Sequence, residues 1–188
     1  MPSIRLARPE DAGRIAEIYR PYVENTAVSF EYEAPDEREM RSRIERTLRV
    51  YPWLAAELDG RIAGYAYAGR FAPRKAYDFC AEASVYVDAS LRRAGVGRAL
   101  YAALEDILGR MNVLKLYACI AVSGDGDEYL TPDSVRFHER MGYAEVCRFD
   151  RCGFKFGRWY GTAWMEKALA PLTDCPKPLI PFAGLEAR

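Results

Sequence analysis

Histidine is almost absent: His138 is the only one in 188 residues. That excludes a His-rich metal site, and it leaves a Ser-His-Asp triad with a single histidine to draw on. The five cysteines (Cys80, Cys119, Cys147, Cys152 and Cys175) are odd in number and scattered, and no CxxC pair occurs. Structural zinc and a disulfide framework are therefore not expected, and the thiols read as buried or incidental. No charge of either sign is in excess, with 27 Lys plus Arg against 27 Asp plus Glu. A general nucleic-acid binder would carry basic excess, so that class is set aside, although a local basic patch stays open. No apolar run approaches the roughly 20 residues that a membrane span needs. The opening Met1-Pro2-Ser3-Ile4-Arg5 does not follow the basic-then-apolar pattern of a signal peptide. A cytoplasmic location is expected, with no membrane partner.

Half of the residues are hydrophobic, enough for one well-cored domain of this length. Ile4–Ala7 reads as a strand, and Pro9-Glu10-Asp11 as a helix start that runs on to about Tyr22. Asp36 suits the cap of a charged helix over 37–49. Trp53–Leu58 and Arg61–Ala68 read as a hairpin joined by Asp59-Gly60, both of which tolerate positive φ. Asp78–Val87 reads as a strand, Ala94–Arg110 as a helix and Lys115–Val122 as a strand buried on both faces. A helix near Asp133–Met141 ends at Gly142, and strands over Tyr143–Phe149 and Phe154–Leu169 complete the pattern. The order predicts an α/β fold: one domain over residues 1–170, with a mixed, mostly antiparallel central sheet flanked by helices. Four of the eleven prolines fall after residue 170, so 171–188 reads as an extended arm lying on the body or on a neighbouring subunit.

The strongest local signal is strand, turn, glycines, helix over Ser84–Leu100. A helix start offers unpaired N–H groups with partial positive charge. Gly95 and Gly97 remove side chains that would keep a phosphate away, and Arg92, Arg93 and Arg98 add charge. The stretch is neither a Walker A sequence nor GxGxxG. By itself it supports an anion site.

Two groups could move protons. Period-two alternation puts Cys80, Glu82, Ser84 and Tyr86 on one face of a weakly polar strand, where partial burial would raise the carboxyl pKa of Glu82. The bland alternative is a strand glutamate in solvent. His138 lies one turn past Ser134, and its bland alternative is a satisfied structural histidine. Arg74 and Lys75 occupy the loop before the Glu82 strand. A guanidinium there suits an acceptor's carboxylate, with Tyr77 and Phe30 as apolar walls, or the loop is simply solvated.

The stretch Arg92-Arg93-Ala94-Gly95-Val96-Gly97 resembles the R/Q-x-x-G-x-G/A element of the GNAT N-acetyltransferases. The resemblance extends to the phosphinothricin acetyltransferase branch through Tyr51-Pro52-Trp53-Leu54, Gly64–Ala68, Ala76-Tyr77-Asp78, Ala81–Val87, Ser134–Glu139 and Cys152-Gly153-Phe154-Lys155. It implies acetyl-CoA as co-substrate, with Arg92–Arg98 on the pyrophosphate and the backbone around Val85, Tyr86 and Val87 on the pantetheine arm. It implies Glu82 as the base, and His138 as a group that assists deprotonation or protonates the thiolate. Ser134 and Thr131 fall in the CoA-binding segment. Many members place at 131 an Asn, which is longer than this Thr131. Phe156 and Tyr160 stand where herbicide-inactivating members carry histidines, so phosphinothricin itself is not implied. The resemblance also implies a homodimer, in keeping with the aromatic segment Phe154–Met165.

The function expected is acetyl transfer to the amine of a small amino acid or analogue, with no metal. A non-catalytic acyl-CoA-binding or sensing domain and a protein or peptide N-acetyltransferase are the alternatives.

Overall fold

The structure, a computed structural model, describes residues 2–91, 94–124 and 126–185. Seven strands form one sheet: β1 (Ser3–Leu6), β2 (Trp53–Leu58), β3 (Arg61–Arg70), β4 (Cys80–Val87), β5 (Lys115–Val122), β6 (Ala144–Lys155) and β7 (Arg158–Ala168). Their order is β1-β2-β3-β4-β5-β7-β6. Every described pairing is antiparallel except β4 with β5. The helices are α1 (Ala12–Glu24), α2 (Glu37–Leu48), α3 (Val96–Arg110), α4 (Asp133–Arg140) and the short α5 (Phe182–Leu185). The expected α/β class and element order hold.

Local chemistry fixes the boundaries. The Asp36 carboxylate accepts the Glu39 amide at 2.7 Å and starts α2. Asp59 and Gly60 take φ of 51° and 76°, the signs that a tight hairpin turn requires. Alternation along the central strands then divides the core. Ala81, Ala83 and Leu54 face α3 and its buried Leu100, Tyr101 and Leu104. Trp53, Ala55 and Tyr65 face α1 and α2, against Ile15, Ile18 and Ile44. The sheet is therefore covered on both faces where β2, β3 and β4 run.

Several expectations shift. The third helix begins at Val96 rather than Ala94, because Gly95 at φ 78° is its left-handed cap. β5 is buried on one face only, through Leu116, Ala118 and Ile120. Phe154 and Lys155 belong to β6, not to the last strand. A bulge between Phe149 and Gly153, with Arg151 at φ 48°, carries β6 past the end expected from its hydrophobic pattern. Cys119, Cys147, Cys152 and Cys175 are exposed rather than buried, and Cys80 is half-buried. The proline-rich tail is docked: Ile180 and Phe182 donate amides to the Met111 and Val50 carbonyls at 2.9 Å each, and Phe182 is buried. No helix among the described residues is long and apolar enough to cross a membrane.

Candidate active site

The site begins where a ladder stops. β4 and β5 pair at only three positions, Cys80↔Lys115, Ala81↔Leu116 and Glu82↔Tyr117, although both strands continue beyond. Past Glu82 they diverge. Asp88 donates its amide to the Ala63 carbonyl at 2.8 Å. Backbone alternation then turns the polar groups of Ser84 and Tyr86 toward β3 and those of Val85 and Val87 toward the opening. The Val87 carbonyl is already taken, by the Tyr22 hydroxyl at 2.6 Å. A cavity of about 60 Å³ fills the fork, lined among others by Ser84, Val85, Tyr101, Cys119, Ser134 and His138.

At the wide end of the fork α3 begins. Gly95 takes φ 78°, and a Cβ built there would meet no atom within 4 Å. Conformation, not crowding, requires the glycine, and open space lies before the first amides of α3. A Cβ at Gly97, by contrast, would press on the Phe137 ring at 3.3 Å. Ala94, Gly95 and Arg98 are exposed, whereas the Val96 side chain is core, so Val96 offers only its amide. Arg92 and Arg93 lie outside the described residues. Tyr86 likewise offers only backbone: its ring packs edge-on to Tyr19 and Tyr22, with centroids at 4.7 and 5.2 Å.

Glu82 occupies the last paired position. Its carboxyl is half-buried, no hydrogen bond or ion pair engages it among the described residues, and burial pushes its pKa up. Pairing with Gly69 and Tyr117 puts it on the α1/α2 face. The Cys119 residue is exposed as a whole, but its thiol, on the same face, lines the fork and is pushed up to about 11, by the loss of solvent there first and then by the Glu82 charge.

His138 lies on the other face, 4 % exposed. Its Nδ1 is 2.7 Å from the Ser134 carbonyl and its Nε2 is 2.8 Å from the Tyr101 hydroxyl. A carbonyl only accepts, so Nδ1 carries the proton and Tyr101 donates to Nε2. Burial lowers the His138 pKa against the opposing pull of the Ser134 carbonyl, which favours the neutral ring. The fork thus separates an unpaired carboxyl on one face of the sheet from a hydroxyl–imidazole pair on the other.

Residues 4–164 match the family described as "Acetyltransferase (GNAT) domain". The chain belongs to the GNAT acetyltransferase family. It is 36 % identical over 168 residues to a phosphinothricin N-acetyltransferase of Alcaligenes faecalis, covering 89 % of this chain and 82 % of that protein. It is 33 % identical over 182 residues to the phosphinothricin N-acetyltransferase of Streptomyces viridochromogenes, covering 97 % and 95 %. Among solved structures, a GNAT phosphinothricin acetyltransferase from Sinorhizobium meliloti in complex with acetyl-CoA superimposes with a TM-score of 0.83 at 31 % identity, covering 96 % and 98 %.

The remaining residues singled out in this GNAT chain are dispersed. Arg74 is exposed and precedes a single 3-10 turn, Lys75–Tyr77. Phe71 ties that loop to the sheet: its ring stacks on Tyr117 at 4.4 Å, and Tyr77 packs edge-on to Phe71 at 5.8 Å. Since Tyr117 is the β5 partner of Glu82, the loop overhangs the Glu82 face. Phe30 lies across the chain against the β6–β7 hairpin, where a Cβ at Gly153 would collide with its ring. The Thr131 hydroxyl is exposed and bonded to Asp133 at 3.1 Å.

Two residues of this GNAT site carried no signal in the sequence. Tyr101 is one more ring in the apolar stripe of α3, and Lys155 closes the Cys152-Gly153-Phe154-Lys155 segment with no pattern that assigns its side chain a task. The register of distant segments places both, and no local pattern encodes that.

Proposed function

We propose that the protein transfers an acetyl group from acetyl-CoA to the amine of a small amino acid or analogue, by direct attack with general-base assistance. One observation carries this reading: the β4–β5 ladder ends at Glu82, so the open slot and a half-buried carboxyl with no partner among the described residues share one position.

The residues present fit such a co-substrate. The free amides at the start of α3 and the exposed Arg98 suit a pyrophosphate, with Arg92 and Arg93 added from the sequence. The open backbone of Val85 and the Val87 amide suit the amides of a pantetheine arm, with Ser134 beside it on α4. An amino-acid amine is mostly protonated near neutral pH and must lose a proton before it attacks. Glu82 takes that proton directly or through water, and a raised pKa makes it a better base than a solvated carboxylate. A backbone N–H of β4 turned into the fork donates to the developing oxyanion. The Tyr101–His138 pair supplies the polar contact on the leaving-thiolate side. Arg74 holds the acceptor carboxylate, with Phe30 and Tyr77 as walls. The relatives' acceptor, phosphinothricin, is an amino-acid analogue and supports that substrate class. Phe156 and Tyr160 differ from the histidines of the herbicide-inactivating members and leave the acceptor unnamed.

We read residues 1–170 as the catalytic domain and 171–188 as a tail, whose described part, through Ile180 and Phe182, lies on that domain. A homodimer through the β6–β7 side is proposed from the edge position of β6 and the exposed Val146, Phe149 and Trp159. Free cysteines agree with a reducing, cytoplasmic setting.

Thiol release from acetyl-CoA, measured with methionine sulfoximine, methionine sulfone, phosphinothricin and ordinary amino acids, tests the reading. Turnover with at least one amino acid is expected. Binding of acetyl-CoA without turnover on any amine would favour the non-catalytic alternative instead.

A further inference from the structure

Lys155 closes β6 with its side chain turned inward, and it is 3 % exposed. Its ammonium donates to three backbone carbonyls of one segment: Val23 at 2.6 Å, Thr26 at 3.0 Å and Ser29 at 2.6 Å. An ammonium has three protons, and all three are used. The segment it grips joins α1 to α2 and carries both Val28, which lines the cavity in the fork, and Phe30, which lies on Gly153.

The hairpin is shaped to deliver this ammonium. Phe156 and Gly157 form its two-residue turn, with φ of 50° and 71°. A bulky residue in the left-handed region is strained, and here the Phe156 ring is held by stacking on Tyr129 at 4.3 Å. Tyr129 in turn accepts the Ala27 amide on its carbonyl at 3.0 Å. Ala27, Leu130 and Tyr160 form a small buried cluster of their own beneath the segment. The Tyr32 hydroxyl donates to the Phe154 carbonyl and closes the far end.

We infer that Lys155 is a positioning residue for the acceptor: it pins the 23–31 segment to the C-terminal hairpin and so fixes the Val28–Phe30 wall beside the fork. The inference rests on the proposed acetyl transfer and on Phe30 as an acceptor wall. Lys155 touches neither the phosphate end of the slot nor Glu82 in any described contact. Val28 also borders the slot proposed for the pantetheine arm, so the loss of Lys155 weighs more on the acceptor than on acetyl-CoA without sparing the latter altogether.

Steady-state kinetics of Lys155→Met with the preferred amino acid, together with calorimetry of acetyl-CoA binding, test it. The acceptor KM is expected to rise about tenfold, with kcat little changed, as for a loss of uniform binding, and the acetyl-CoA Kd is expected to rise clearly less than the acceptor KM. Lys155→Gln keeps two N–H donors and should fall between, and it serves as the test if the Met variant does not fold. In the double variant with Phe30→Ala, the two KM effects should be less than additive. Hydrogen exchange of the 25–31 amides should be faster in the Lys155 variants than in the wild type. An unchanged acceptor KM, or equal weakening of acceptor and acetyl-CoA, overturns the inference. If the wild type acetylates no amine, the proposed function fails; unaltered exchange at 25–31 would then sink the pinning role separately.

Discussion

The Tyr101 hydroxyl lies 2.8 Å from Nε2 of His138, while Nδ1 of the same ring lies 2.7 Å from the Ser134 carbonyl. Both ring nitrogens are occupied, and the imidazole is neutral with Nε2 as acceptor. A free amine therefore meets no open nitrogen on His138, although both residues line the fork. Tyr101→Phe should lower kcat by roughly tenfold to a hundredfold, the lower range of a proton-transfer contribution. It should also destabilise the fold by about 1–3 kcal/mol, because a buried acceptor is left unpaired. Steady-state rates and urea unfolding read the two effects separately.

His138 also sets a pH limit. Burial holds its pKa below the ordinary histidine value of 6.5, so the unfolded chain binds the proton more readily than the folded one. Its contribution to stability is complete above the unfolded pKa and is lost as pH falls toward the depressed folded value. The wild-type Tm should drop between pH 7 and pH 5, and His138→Asn should flatten that part of the profile. Parallel profiles would remove His138 from the cause.

Glu82→Gln should reduce kcat by roughly 100-fold or more while leaving acetyl-CoA affinity unchanged. The carboxyl pKa is raised in the folded state, so ionisation of Glu82 costs stability once pH exceeds its unfolded value. The Gln variant should therefore melt higher than the wild type at pH 7.5. The gain should vanish at pH 4, below the ordinary pKa of 4.5, where both states are largely protonated. A rate that falls with no change in the pH dependence of Tm would separate the base role from the burial argument.

Gly95 can be probed in two steps. Gly95→Ala meets no neighbour but must hold φ near 78°, which costs about 1 kcal/mol in stability or local order. Gly95→Glu adds a carboxylate where a pyrophosphate is proposed. Calorimetry should show a modest loss of acetyl-CoA affinity for Ala and a loss of tenfold or more for Glu. Equal affinities would argue against the cradle.

Phe182 tests the tail. The ring is 5 % exposed within the main core and its amide bonds the Val50 carbonyl. Phe182→Ala should cost about 3 kcal/mol by chemical denaturation, the low end for a buried phenylalanine. A surface-like loss below about 0.5 kcal/mol would show that the tail contributes little to the core.

Much of the fold was legible because local rules agreed. Asp59-Gly60 marked a hairpin, Gly142 the end of α4, and the apolar spacing of α3 its course to Arg110. Glu82 was legible as a carboxylate out of place on a weakly polar strand. What failed was whatever depends on partners far along the chain. β5 reads as continuously apolar, yet its second face meets a cleft rather than a layer. Lys155 stood in a segment shared with the family, but its task was hidden because the three carbonyls it serves lie about 130 residues away. Tyr101 hid in a helical stripe, since only tertiary packing reveals which apolar position also carries a donor. The tail's prolines signalled an extended path but not the buried Phe182 near its end.

The fork between β4 and β5 is made of hydrogen bonds that two strands decline to form, not of side chains. A slot written in backbone is largely indifferent to which residues drift through it, provided the register up to Glu82 survives. Mutation can therefore rework the Arg74 loop and the Phe30 wall, and with them the choice of amine, without disturbing the grip on the acyl donor. Directed evolution toward a new acceptor has its freest positions there.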